Sequence, residues 1–418
     1  MFSVLPLAAV LLLLGGDLPD PDRNAHDMWA RQLVSTGSLT ISENGTTEDW
    51  RLYYPNTVPK PLELGMGLLR IPGGALYREL LTLMTAALVL TAAYHAAGKG
   101  DNGKAAAVYL GLNPVYIFLA VRGNPAIPFM GAVFLLYTMR GRTAGTLIAA
   151  LSRPEGFIYG GWLCLRERNW KRLMIIAAAA AVWLVFHKTC TGSFIWTSEE
   201  VRYSVAAMAY PTPNPITFLP WAGLRSILIL GAPAAAIFYG NFRQWQFGVP
   251  FLTNLALLTV SLALGSLVLP RYIDQLFLLA VPFVFLEIGR LFKGGKKKLI
   301  TAAVIAFPAF QWISAIPEIA EYVRVRDFYY SVELPETGAA AANELLIPGM
   351  ALANDIYDPR GLFVSTDRAA WENAEEADLR EFGVSEIIIL REGIYFPEHT
   401  EEWLENIKNI KVVHYGEN

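Results

Sequence analysis

The feature that most constrains this chain is a succession of long apolar runs punctuated by lysine and arginine clusters. A helix crossing about 30 Å of hydrocarbon needs about 20 mostly apolar residues, and inside lipid its backbone must be hydrogen-bonded within the helix itself. Runs of this kind lie near 1–15, 72–97, 105–121, 125–139, 173–190, 216–240, 249–269, 271–292 and 299–316. With 54% hydrophobic and 17% charged residues, the composition excludes a water-soluble globule built around one core. The expectation is an α-helical polytopic membrane protein with about nine full spans. The first run, from Phe2 to Leu14, lacks the basic start and small-residue cleavage site of a signal peptide, and so reads as a span.

Orientation follows from the basic residues. Lys99, Lys104, Arg140, Arg142, Arg166, Arg168, Lys171, Arg172, Arg243, Lys293 and Lys296 to Lys298 all fall on one side under simple alternation, which the positive-inside rule makes the cytoplasm. The N-terminus is then cytoplasmic, and the loop 16–70, the turn at Arg122, the loop 188–215 and everything after about 320 face outward. One stretch departs from the pattern. Between Arg142 and Arg166, two short apolar pieces flank Ser152-Arg153-Pro154-Glu155-Gly156, with basic residues at both ends. Two half helices entering and leaving from the same side, a re-entrant pair, keep every later loop in register. A single kinked helix would place the Lys293 cluster outside. Broken helices at membrane depth occur where they are buried in protein or line a wet cavity, and Arg153 and Glu155 can offset one another there.

Residues 317 to 418 hold 21 Asp/Glu against 8 Lys/Arg, a net charge of −13 in a chain whose total is −3, so what precedes them is net basic. Polar composition from about 332, with Ile387-Ile388-Ile389-Leu390 and Val412-Val413 as short strands and helices near 336–347, 373–382 and 399–408, predicts a small extracytoplasmic α/β domain. The domain plan is 1–320 transmembrane, with 16–70 its first outward loop, and 321–418 extracytoplasmic. Cys164 and Cys190, the only cysteines, lie at or near membrane depth without metal-type spacing.

Directly after the first run comes Gly16-Asp17-Leu18-Pro19-Asp20-Pro21-Asp22-Arg23-Asn24-Ala25-His26-Asp27, which crowds four carboxylates and a histidine where a helix leaves the membrane. The following segment, Met28 to Leu39, has Trp29, Leu33 and Val34 at helical spacing and predicts an interfacial amphipathic helix. Taken alone, the charge run is equally that of a solvated loop. Asp22, followed eight residues later by Ala30, then by Leu33 and Gly37-Ser38-Leu39, resembles the first-loop signature of the GT-C class of membrane glycosyltransferases. That class includes the protein O-mannosyltransferases and the bacterial aminoarabinose transferases. Lys60-Pro61-Leu62 after Tyr54-Pro55 resembles its Lys-Pro-Pro-Leu element with one proline missing. Arg122-Gly123-Asn124-Pro125 resembles its Asn-Pro turn, Ser152 to Gly156 its Thr-Arg-Pro-Glu-Gly segment, and Pro270-Arg271-Tyr272 its Arg-Tyr element.

The resemblance implies inverting sugar transfer from a polyprenyl monophosphate, dolichyl or undecaprenyl, to a glycan, lipid or protein acceptor outside the plasma membrane. It implies Asp22 as catalytic base, with Asp20 and Asp27 as alternates. Arg271, Lys60 and Arg122 would meet the donor phosphate, and Tyr272, Arg153, Glu155, His26, Glu199 and Glu200 would support the site. Such a transfer needs a base for the acceptor hydroxyl and a cation for the departing phosphate, and guanidinium suits phosphate through its fork of donors. Lys60 and Arg122 equally suit anchoring to lipid headgroups, Arg271 less so, and a solvated loop is the simpler account of Glu199 and Glu200. His26 beside Asp22 and Asp27 is of a type that ligates a divalent metal ion, yet no spacing demands one and no metal is assigned. Asn44-Gly45-Thr46 is an outward sequon. Membrane lipids are the expected surroundings, and nucleic acid is not an expected partner. The rival from another class is a transporter or lipid flippase with a broken-helix central site.

Overall fold

A computed structural model of the chain describes residues 2–14, 23, 26–27, 30, 33–34, 37, 41–43, 46–50, 60–71, 73–138, 140–191, 215–241, 247–263, 270–330, 339–342, 356–357, 376, 380, 384–390 and 404–415. It divides into two compact units. One comprises 1–18, 73–183 and 212–322; the other gathers 19–72, 184–211 and 323–418.

The helices of the first unit are α1 (Leu5–Leu14), α3 (Ala75–Ala96), α4 (Gly100–Leu112), α5 (Pro114–Val121), α6 (Ala126–Leu136), α7 (Arg142–Ser152), α8 (Glu155–Arg166), α10 (Pro215–Leu230), α11 (Ala232–Asn241), α12 (Gly248–Ala263), α13 (Pro270–Leu278) and α14 (Val281–Leu291). α9 (Trp170–Thr191) and α15 (Gly294–Tyr330) begin in this unit and run on into the other, to which α2 (Pro61–Arg70) belongs. Among the described residues, four helical stretches are long and apolar enough to cross a membrane: Leu76–Ala96, Trp170–Thr189, Arg271–Leu291 and Gly294–Pro317. The bent pair α4 and α5 makes a fifth if counted as one. These account for four or five of the nine expected spans; Leu5–Leu14, Ala126–Leu136, Ile216–Leu230 and Gly248–Ala263 are shorter apolar helices. The four differ sharply in burial. Arg271–Leu291 is almost wholly enclosed, whereas Gly294–Pro317 turns Leu299, Phe310, Ile313 and Ile316 outward. So much exposed aliphatic surface on a helix suits hydrocarbon as the solvent.

Breaks in two of the expected spans, 105–121 and 216–240, have local causes. Near 105–121 the chain bends by 64° between α4 and α5. Pro114 restricts Asn113 to an extended conformation, and the Asn113 side chain caps α5 by accepting from the N–H groups of Val115 at 3.1 Å and Tyr116 at 3.2 Å. Near 216–240, α10 stops at Gly231, whose φ is +77°. Both breaks free backbone carbonyls, and side chains from distant helices take them up. Tyr109 donates to the Ile229 carbonyl at 2.6 Å, and Asn113 Nδ2 to the same oxygen at 3.3 Å and to Gln311 Oε1 at 3.1 Å. Gln311 Nε2 donates to Leu228 and Ile229, and Trp312 Nε1 to Leu112 at 2.9 Å. An unmet carbonyl at this depth would cost several kcal/mol, roughly, which is why irregular backbone survives here only with partners.

In the second unit, β1 (Ile41–Glu43) and β2 (Thr46–Trp50) form an antiparallel hairpin with Glu43 opposite Thr46. β3 (Ala339–Ala342), β4 (Ile356–Tyr357), β5 (Val384–Leu390) and β6 (Lys411–Tyr415) make a wholly parallel sheet in the order β4-β3-β5-β6. The expected strands at 387–390 and 412–413 lie in β5 and β6. The helix expected over 336–347 is instead strand β3 at its centre: tertiary pairing of four alanines against β5 overrides their helix propensity. Ile387 and Ile388 are buried, and Glu386 is ion-paired at 2.6 Å with Lys411, its register partner on β6.

Candidate functional site

The sequence-predicted residues fall into two groups, one in each unit. In the first unit, the Arg153-Pro154 break is the organising feature. Proline disfavours a helical residue before it; Arg153 is extended (φ −153°, ψ 149°) and ends α7, while Pro154 starts α8. Gly156 is required by the return: a Cβ there would come 2.0 Å from the Ala149 carbonyl oxygen. The two expected half helices are therefore present, folded closely on one another.

The break delivers Arg153 to α13. Its guanidinium carbon stands 5.3 Å from the Tyr272 ring centre and 5.9 Å from that of Phe129, and Nη1 donates to Gln275 Oε1 at 2.6 Å. Arg153 and Gln275 are 7% and 5% exposed. Nε lies 3.7 Å from Glu155 Oε2, too far for a hydrogen bond, and makes none among the described residues. Arg271 places its guanidinium carbon 5.7 Å from the same Tyr272 ring. Two guanidinium groups thus contact one tyrosine, a cation–π arrangement in which the ring itself adds no negative charge. Arg153, Glu155, Arg271 and Tyr272, from two motif elements more than a hundred residues apart, are brought together. Sequence reasoning missed Gln275 and a second pair on α13: Asp274, 5% exposed, accepts a two-pronged ion pair from Arg225 of α10 at 2.6 and 2.7 Å. An Asp-Gln step inside an apolar span was the available signal, because polar groups at that depth are costly. Arg122 is 8% exposed, with its guanidinium 5.2 Å from the Phe118 ring, and Asn124 Oδ1 accepts the Ala126 N–H at the start of α6 at 2.9 Å.

In the second unit, residues 23, 26, 27, 30, 33 and 34 are helical, and Gly37, with φ +71°, caps this run by donating to Leu33 at 2.9 Å. Ala30, Leu33, Val34 and Gly37 are the described residues of the stretch where an interfacial helix is expected; the rest of Met28 to Leu39 lies outside the described residues. Lys60, Glu63, Leu64 and Gly67 form a single buried face at α2, and Lys60 and Gly67 lie against His26 and Ala30. A Cβ on Gly67 would meet the His26 carbonyl oxygen at 2.7 Å and the Ala30 Cβ at 2.9 Å, so both positions must be small. Ala30, the signature residue, is accordingly fully buried. Asp27 pairs with Arg70 Nε at 2.7 Å, and His26, 1% exposed, receives the Lys60 N–H on Nε2 at 3.5 Å. Lys60 is itself 6% exposed at the start of α2, and Glu63, which sequence reasoning did not single out, is 2% exposed. Among the described residues, no group of three or more His, Cys, Asp or Glu is placed to hold a metal ion. Asp20, Asp22, Glu199 and Glu200 lie outside the described residues.

No known family's sequence pattern matches the chain, and no curated protein matches it. Two solved structures do. The crystal structure of ArnT from Cupriavidus metallidurans bound to undecaprenyl phosphate aligns over 91% of this chain and 89% of its own, with 12% identity and a TM-score of 0.49. Its apo state aligns over 97% and 89%, with 12% identity and a TM-score of 0.47.

Proposed function

We propose that the chain is an inverting membrane glycosyltransferase that moves a sugar from a polyprenyl monophosphate, undecaprenyl or dolichyl, to a glycan, lipid or protein acceptor on the extracytoplasmic side. The observation that carries this reading is the pair of guanidinium groups, Arg153 and Arg271, about Tyr272 at a helix break. A buried guanidinium held by an aromatic ring and a neutral amide, beside a second, part-buried one on the same ring, forms a site for an anion, and fork-like donors match phosphate oxygens. The motif order shared with the GT-C class supplies the rest. In this reading residues 1–320 form a transmembrane catalytic domain of about nine spans, the plasma membrane is its location, and 321–418 is an extracytoplasmic domain.

Asp22 acts as base. It takes the proton of the acceptor hydroxyl as that oxygen attacks the anomeric carbon from the face opposite the phosphate. The bond from the anomeric carbon to the phosphate oxygen breaks, and the polyprenyl phosphate leaves with its new charge facing Arg271 and Arg153. Lys60 and Arg122 are further phosphate contacts, and Asp20 the alternate base. Asp27 serves the scaffold through Arg70, so it is the weaker alternate. Broken helices also build transporter sites, and the test separates the two. Purified protein is incubated with labelled polyprenyl-phosphate sugars and membrane extract. Asp22→Asn is expected to slow transfer by about two to four orders of magnitude with donor binding retained, and Arg271→Lys to weaken donor use beyond what its preserved charge implies. Transport of donor without sugar transfer, or full transfer by both variants, refutes the proposal.

A further inference from the structure

The anion site contains one partner choice that its chemistry makes informative. A buried arginine is ordinarily matched to a carboxylate, which cancels its charge. Arg153 instead spends Nη1 on the neutral amide of Gln275 at 2.6 Å, with both side chains more than nine-tenths buried. Guanidinium has only donors, so the amide oxygen must be the atom that faces it. The nearest carboxylate paired with Arg153, Glu155, stands back at 3.7 Å from Nε with its side chain 31% exposed. Tyr272, one helical turn before Gln275 on α13, lies against the same guanidinium. One face of α13 therefore orients Arg153 twice over, by a ring and an amide, while adding no negative charge. A glutamate at 275 would fit the same space and make a stronger bond. The neutral residue makes sense where the cation is reserved for something else.

We propose that Gln275 is a positioning residue for the donor phosphate: it aims Arg153 while leaving its positive charge to a monophosphate ester ligand. This rests on the proposed function and extends it by assigning a role to a residue outside every recognised motif. The measurement is equilibrium binding of undecaprenyl phosphate and, as control, undecaprenol, to the purified full chain in detergent, alongside thermal stability.

Gln275→Glu is expected to be at least as stable as the parent, because it completes a buried ion pair. It should lose about ten- to a hundredfold in affinity for the phosphate, with undecaprenol binding unchanged. Gln275→Met, which keeps the bulk and removes the acceptor, should lose about three- to tenfold for the phosphate alone. A merely structural glutamine predicts the opposite pattern, with Glu neutral or better in both measurements and Met failing in both. Phosphate binding at the parent level in Gln275→Glu overturns the inference while leaving the proposed function standing, and should that variant not fold, the Met variant decides in the same way. A parent that binds phosphate no better than the alcohol removes the proposed function and this inference together.

Discussion

Replacing Arg225 with methionine tests how α13 is held. The change removes the two bonds at 2.6 and 2.7 Å that Arg225 makes to the Asp274 carboxylate, which is 7% exposed. Removing one partner of a buried pair costs about 3 to 5 kcal/mol. Because Arg225 is 32% exposed, water reaches that side of the pair, and the expected loss falls to about 2 to 3 kcal/mol. The reverse deletion is milder. Asp274→Asn leaves a half-buried arginine that can turn its head toward solvent, at a cost of about 1 kcal/mol. The double change Arg225→Met with Asp274→Asn leaves no buried charge and should recover most of the loss, a coupling of about 2 kcal/mol. Reversible denaturation of the purified protein in mixed micelles, followed by tryptophan fluorescence, reads all three. If Asp274→Asn proves the more harmful single change, or the double variant is as unstable as the sum of the singles, the pair is not the buried, mutually dependent element argued from its geometry.

Gly67→Ala should cost about 1 to 3 kcal/mol, because its Cβ meets backbone at 2.7 Å and Ala30 at 2.9 Å; unchanged stability in the same assay would contradict the close packing of α2 on the helix ahead of Gly37. In the second unit, Glu376 accepts the N–H groups of Lys408 at 2.6 Å and Asn409 at 3.1 Å, and these, Lys408 first, hold its carboxyl below the usual glutamate range. Its contribution to stability is therefore full above the ordinary glutamate pKa and is lost as pH falls through the lowered folded value. Glu376→Gln should be less stable than the parent near neutrality and converge with it in acid, and a stability gap that widens on acidification would reverse the assignment.

What the sequence disclosed, and what it did not, divides along the range of the interactions involved. The apolar runs, the break at Arg153-Pro154 and the Gly37 helix end were legible because proline sterics, glycine conformation and hydropathy act within a few residues. Arg271 and Tyr272 were found through their motif. Gln275 and Asp274 were overlooked because only their partners, 122 and 49 residues away, give them meaning. Asn113 was read as part of a continuous span although Asn-Pro is a capping and helix-start pair, since hydropathy averaging hides a single polar residue. Strand β3 had no local sign at all, because four alanines favour a helix until β4 and β5 flank them.

The hydrogen bonds that close the two helix breaks impose an order on biosynthesis. Gln311 and Trp312 lie 198 and 200 residues beyond their partners Asn113 and Leu112. At about 5 to 20 residues per second, the ribosome delivers them roughly 10 to 40 seconds after those partners have emerged. Throughout that interval, the Leu112 carbonyl at the α4–α5 bend lacks its side-chain donor, as does the Leu228 carbonyl for the shorter delay until Gln311 arrives. The nascent bundle must therefore keep these bends in contact with water or the insertion machinery, so the last long apolar helix is the piece that seals a polar seam left open by all the helices before it.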